Sequence, residues 1–147
     1  MIVENNIEEL LNKQGFVITD IQGTSMYPFL KQGKHRVIIS KVNRQLKKYD
    51  VVLYKVNNKY VLHRIIDIVD DTLLIRGDNT LEIEKVNKND ILGILTSYYD
   101  NNMCVDVDDK LNEYNYNKSI RTLNYRKTRH KIGEFIRNKL WKDLQKY

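Results

Sequence analysis

Apolar and polar residues alternate in short runs over the first hundred positions, and pairs of Asn, Asp and Gly break the runs. Period-two alternation between turn residues is the signature of half-buried strands. It predicts strands over 16–22, 35–40, 50–54, 59–68, 72–76, 91–99 and 103–107. Asn57-Asn58 and Asp100-Asn101-Asn102 read as hairpin turns, because Asn tolerates positive φ, and Asp70-Asp71 as a further turn. Residues 41–49 are basic and polar and read as a loop. Two stretches carry helical spacing instead. Ile7, Leu10 and Leu11 predict a short amphipathic helix over 3–13, ended by Gly15. Ile132, Ile136, Leu140, Leu144 and Tyr147 form one stripe of a C-terminal helix over 128–147, with Lys139, Lys142 and Lys146 to one side and Phe135 and Trp141 at its edges. The polar, Tyr- and Asn-rich residues 108–118 read as a linker. The chain therefore divides into a mainly β domain, 1–107, and a linker with a basic helical tail, 108–147.

Composition narrows this picture. The 147 residues, 41% hydrophobic and 30% charged, suit one ordinary globular domain. No apolar run approaches the length of a membrane span, and Met1–Gly15 carries Glu4, Glu8 and Glu9 rather than a secretory apolar core. Cys104 is the single cysteine, so no internal disulfide forms, and nothing near it has metal-ligand spacing. These features favour the cytoplasm and call for no metal or cofactor. The net charge of +6 is uneven: residues 118–147 hold ten Lys/Arg against Glu134 and Asp143, and residues 1–117 are slightly acidic.

The candidate chemistry centres on Gly23-Thr24-Ser25-Met26-Tyr27-Pro28-Phe29-Leu30. Gly23 allows a sharp exit from the first strand, and Pro28 suits a tight turn or the first turn of a helix. Ser25 at the apex of such a bend would present its hydroxyl beside outward backbone N–H groups, as a nucleophile and its oxyanion donors require. A plain corner with Ser25 as a capping residue fits the same eight residues. His63, in the run Leu62-His63-Arg64-Ile65, is either a satisfied structural histidine or a general base. Neutral imidazole takes a serine proton near pH 7, whereas Lys59, beside a turn, would stay protonated. Gly77-Asp78-Asn79 is turn chemistry or a loop carrying a catalytic carboxylate.

The octet resembles the nucleophile motif of the signal peptidase and LexA-type serine peptidases, G-x-S-M-x-P. Val51–Tyr54, Tyr60–Ile66, Arg76–Asn79 and Ile91–Leu95 follow in that family's order, so the resemblance spans roughly residues 16–96. It implies the family's β-fold, here with a short N-terminal helix and a C-terminal amphipathic helix, and a serine endopeptidase activity on a peptide or protein precursor. By resemblance Ser25 is the nucleophile. His63-Arg64 matches the H-R of archaeal and endoplasmic-reticulum-type members, so His63 is the base and Arg64 a supporting residue. Asp78 is the carboxylate that orients His63. Met26 is the motif's methionine, and Thr24 with the Ser25 N–H would serve the oxyanion. Glu84 stands where those members carry a second aspartate. The chain also departs from the pattern at Gly33-Lys34 (usually Gly-Asp) and at Gly23 (often Ser). A LexA-like regulatory or binding module with little peptidase activity is the alternative, although Met1–Gly15 is too short for a helix-turn-helix. For the tail, packing on the domain, an anionic membrane surface or a partner protein all fit, with nucleic acid behind them.

Overall fold

The computed structural model describes residues 6–144, except for the side chains of 140, 143 and 144. The fold is mainly β. Helix α1 (Ile7–Gln14) is followed by β1 (Phe16–Asp20), β2 (His35–Ser40), β3 (Val51–Val56), β4 (Lys59–Val69), β5 (Thr72–Arg76), β6 (Glu84–Asn87), β7 (Gly93–Asp100), β8 (Met103–Asp106) and a long helix α2 (Asp109–Leu144). The strands form one 8-stranded sheet in the order β1-β2-β7-β3-β4-β5-β6, with β8 against β7, and every pairing is antiparallel.

The turn residues act as their chemistry dictates. Asn57, Asn58, Asp70, Asn101 and Asn102 all have positive φ and close the three hairpins. Gly15 ends α1 in the left-handed region at φ 83, its N–H bonded to Leu11 O. Residues 3–5 of the expected N-terminal helix lie outside the described residues.

Successive residues of a strand point to opposite faces. Val51 and Leu53 join one cluster, with Ile7, Leu11, Val17, Val37, Ile39, Leu62 and Leu95. Val52 and Tyr54 join a second, with Ile65, Leu73 and Ile75. The β3–β4 hairpin is thus covered on both faces.

Two expectations need correcting. Strand β6 was not anticipated: its sequence, Glu84-Lys85-Val86-Asn87, is too polar to register as an apolar run, and pairing with β5 makes it a strand. Residues 108–118 are no linker, because α2 begins at Asp109. Asp108 caps it, Oδ1 accepting the Leu111 N–H at 2.8 Å. The inward positions are Asn112, Asn115, Ser119 and Leu123, all buried. Their spacing is helical, but three are polar, so hydrophobic patterning cannot see the face. Tyr116 stacks on Tyr49 at 4.4 Å between ring centroids. Beyond Leu123 the helix exposes Ile132, Phe135, Ile136 and Trp141, the described members of the expected stripe and its edges. Lys146 and Tyr147, and the side chains of Leu140 and Leu144, lie outside the described residues.

Candidate active site

Three segments meet at the site: the corner after β1, the middle of β4 and the loop after β5. The corner is held from below. Met26, Phe29 and Leu30 are buried in the first cluster, and hydrogen bonds from Tyr27 N to Thr24 O (3.1 Å) and from Leu30 N to Met26 O (2.9 Å) turn the chain. Gly23 takes φ 79, which a side chain would resist, and Tyr27–Pro28 is cis. Ser25 is half-buried at the apex, and Thr24 is exposed.

The loop after β5 grips this corner. Asn79 N donates to Ser25 O at 2.8 Å, and Asn79 Nδ2 donates to Thr24 O at 2.9 Å. Arg126 of α2 in turn donates to Asn79 Oδ1. Gly77 sits between the corner and His63. A Cβ on Gly77 would fall 2.6 Å from Ser25 O and 3.1 Å from His63 Nε2, so those two atoms flank one Cα with no room for a side chain. Among the described residues no hydrogen bond joins the Ser25 hydroxyl to the His63 ring.

The other side of His63 is fully engaged. The β3–β4 register pairs Val52 with His63 and Tyr54 with Val61, so Tyr54 lies diagonally across from His63 on one face. Tyr54 Oη stands 3.1 Å from His63 Nδ1 and donates to Glu84 Oε2 at 2.5 Å. A carboxylate only accepts, and a phenol has one proton. With that proton directed at Glu84, the Tyr54 oxygen accepts from His63 Nδ1–H. The proton of the neutral ring is therefore on Nδ1, and the lone pair is on Nε2, the nitrogen that faces Gly77. Burial lowers the pKa of His63, against smaller opposing pulls from the Glu84 charge and then the Asp78 charge, so the ring is neutral at pH 7. Tyr54 is pushed up, mainly by burial and next by Glu84, which keeps its proton in place.

Asp78 lies near enough to His63 for its charge to favour the imidazolium, but its hydrogen bonds go to Arg64. Both its oxygens accept from Arg64, Nε and Nη2 each at 2.8 Å, and both residues are buried. Arg64 also donates through Nη1 to Tyr49 O, Asn112 O and Asn112 Oδ1, and its guanidinium lies 5.3 Å from the centroid of the Phe29 ring. The reason is strand geometry: Arg64 follows His63 and so points to the opposite face. Asp78 and Arg64 form a buried bracket behind the site that joins β4, the loop after β5 and α2. Glu84 on β6 reaches His63 through Tyr54, and the Asp78 charge acts on the ring without a hydrogen bond to it.

Of the remaining expected residues, Met26 is a buried anchor of the corner and Lys59 is exposed on the hairpin. No group of three or more His, Cys, Asp or Glu side chains among the described residues is placed to hold a metal. Tyr54, Gly77 and Asn79 were not singled out as site residues from the sequence. The signal for Tyr54 was present: with Asn57-Asn58 fixing a two-residue hairpin, the register puts Tyr54 and His63 on one face. No protein-family model matches the chain, and no curated protein matches it either.

Proposed function

We propose that the protein is a serine peptidase with Ser25 as nucleophile and His63 as general base. The observation that carries this reading is the packing around Gly77, which sets the Ser25 backbone beside the unprotonated Nε2 of a neutral, buried histidine. Ser25 Oγ attacks a peptide carbonyl as its proton passes to Nε2. The C–N bond then breaks and the leaving amine takes that proton. Water repeats the sequence in reverse on the acyl-enzyme. The imidazolium formed on the way keeps its Nδ1–H on Tyr54 Oη, with the Glu84 charge behind it. The Ser25 N–H, for which no partner is seen among the described residues, is available as an oxyanion donor. The Ser25–His63 hydrogen bond closes with substrate bound, as catalytic hydrogen bonds often do.

The test is cleavage of a proteome-derived peptide library read by mass spectrometry. Wild type should produce a defined set of cut sites, Ser25→Ala none, and His63→Ala at least ~100-fold fewer turnovers. Equal products from wild type and Ser25→Ala would remove the enzyme and leave the regulatory module. The exposed Ile132, Phe135 and Ile136 on a basic helix favour a second, compatible reading: α2 brings this site to an anionic membrane surface.

A further inference from the structure

A groove of about 490 Å³ runs between the loop after β5 and α2, lined by Asn79, Leu81, Leu123 and a row of charged residues on the helix. Its position follows from the site. Asn79, which holds the Thr24 and Ser25 carbonyls, forms one end of it. The groove therefore opens beside the nucleophile corner.

Its walls have a definite chemistry. Leu81 is exposed and Leu123 is buried at the base, giving an apolar floor. The helix wall presents Arg126, Lys127, His130, Lys131 and Glu134. Arg126 is engaged with Asn79. Glu134, the single acid, faces His130, with Oε1 3.5 Å from Nδ1. Lys127 and Lys131 have no carboxylate partner among the described residues. They lie at i and i+4 and so stand one turn apart on the same side of the helix. Two uncompensated cations above a leucine floor, in a groove that reaches the nucleophile corner through Asn79, select a complementary ligand.

We infer that this groove is the subsite for the substrate segment flanking the cleaved bond, and that it takes a peptide with acidic side chains against Lys127 and Lys131 and an apolar side chain on Leu81 and Leu123. The inference rests on the peptidase reading for its meaning, but binding can be measured without cleavage.

The experiment uses the full chain carrying Ser25→Ala and two fluorescein-labelled decapeptides, one alternating Glu and Leu, the other alternating Lys and Leu, read by fluorescence anisotropy at low salt. The acidic peptide should bind at least ~10-fold tighter. Lys127→Glu with Lys131→Glu should reverse the order, and Lys127→Gln with Lys131→Gln should erase it. Both lysines are exposed, so these variants keep the fold. Arg129→Glu with Lys139→Glu, on other sides of the helix, should leave the preference intact. Equal binding of the two peptides, or a preference that follows Arg129 and Lys139 instead, would overturn the groove. A preference that stands while the library goes uncut would overturn the peptidase alone.

Discussion

At His63, one peptide bond decides which carboxylate does what. His63 and Arg64 are neighbours in β4 and face opposite sides of the sheet, so Arg64 takes Asp78 and His63 takes Tyr54 and Glu84. The two carboxylates should therefore fail differently. Acidification protonates Nε2, and burial lowers the pKa of His63 below its ordinary 6.5. The acid limb of kcat/KM on a cut peptide should then have its midpoint below 6.5. Tyr54→Phe removes the acceptor for Nδ1–H, and Glu84→Gln removes the charge that favours the imidazolium. Each should lower kcat/KM by about 10- to 100-fold and move the acid limb to still lower pH. NMR titration of the His63 ring should show the same shift without any substrate. Asp78→Asn should instead leave Arg64 as a buried, uncompensated cation and cost about 3–5 kcal/mol in urea unfolding. An Asp78→Asn variant that keeps its urea midpoint and moves the acid limb would make Asp78 the partner of His63. The lowered pKa has a second consequence. The unfolded chain binds the His63 proton near 6.5 and the folded chain only at lower pH, so stability is full above that window and falls as pH drops through it.

The strands are legible in the sequence because alternation, burial and turn chemistry agree there. Val37 and Ile39 point inward from β2, and the Asn and Asp residues of the hairpins take the positive φ that their side chains tolerate. Legibility fails where an element buries polar groups. β6 is set by pairing alone, and the first turns of α2 approach the sheet through Asn112 and Ser119, which accept from Arg64 and Arg76. A pattern of hydrophobic residues carries no trace of such a contact, so residues 108–118 read as a linker. The candidate site divides the same way. Ser25 and His63 show in local motifs, whereas the role of Glu84 depends on a pairing between β5 and β6 that lies beyond any motif. The boundary between body and tail consequently moves from residue 107 to Leu123. A chain ended after Leu123 should unfold within about 1 kcal/mol of the full protein, since the residues beyond it are mostly exposed. A chain ended after Val107 uncovers Arg64 and Arg76 and should lose cooperative unfolding. Circular dichroism during urea titration distinguishes the two, and equal stability of both truncations would restore the linker.

Across the whole molecule the charge is polarised, with a slightly acidic body and a strongly basic stretch from Lys118 onward. Beyond Leu123 the helix carries two distinct faces. Lys127, His130 and Lys131 turn toward the groove. Ile132, Phe135 and Ile136 share another side and are 55%, 68% and 51% exposed. Ile132 follows His130 by two residues, about 200° around the helix, so the apolar patch points away from the body. No described helix is long and apolar enough to cross a membrane, so α2 could engage lipid only by lying on it. An apolar patch of this size gives weak partitioning alone. Each Lys or Arg brought near an anionic leaflet adds about 1 kcal/mol, so several together would produce reversible binding. Such binding is screened, and its loss with salt separates it from apolar insertion. The full chain should co-sediment with phosphatidylserine-containing vesicles at low salt, should not sediment with neutral ones, and should be released at roughly 0.5 M salt. Ile132→Asp, Phe135→Asp and Ile136→Asp together should abolish sedimentation and spare urea stability, because all three side chains are exposed. Sedimentation that is equal on anionic and neutral vesicles, or that survives the triple substitution, would end the membrane reading and leave the patch to a protein partner.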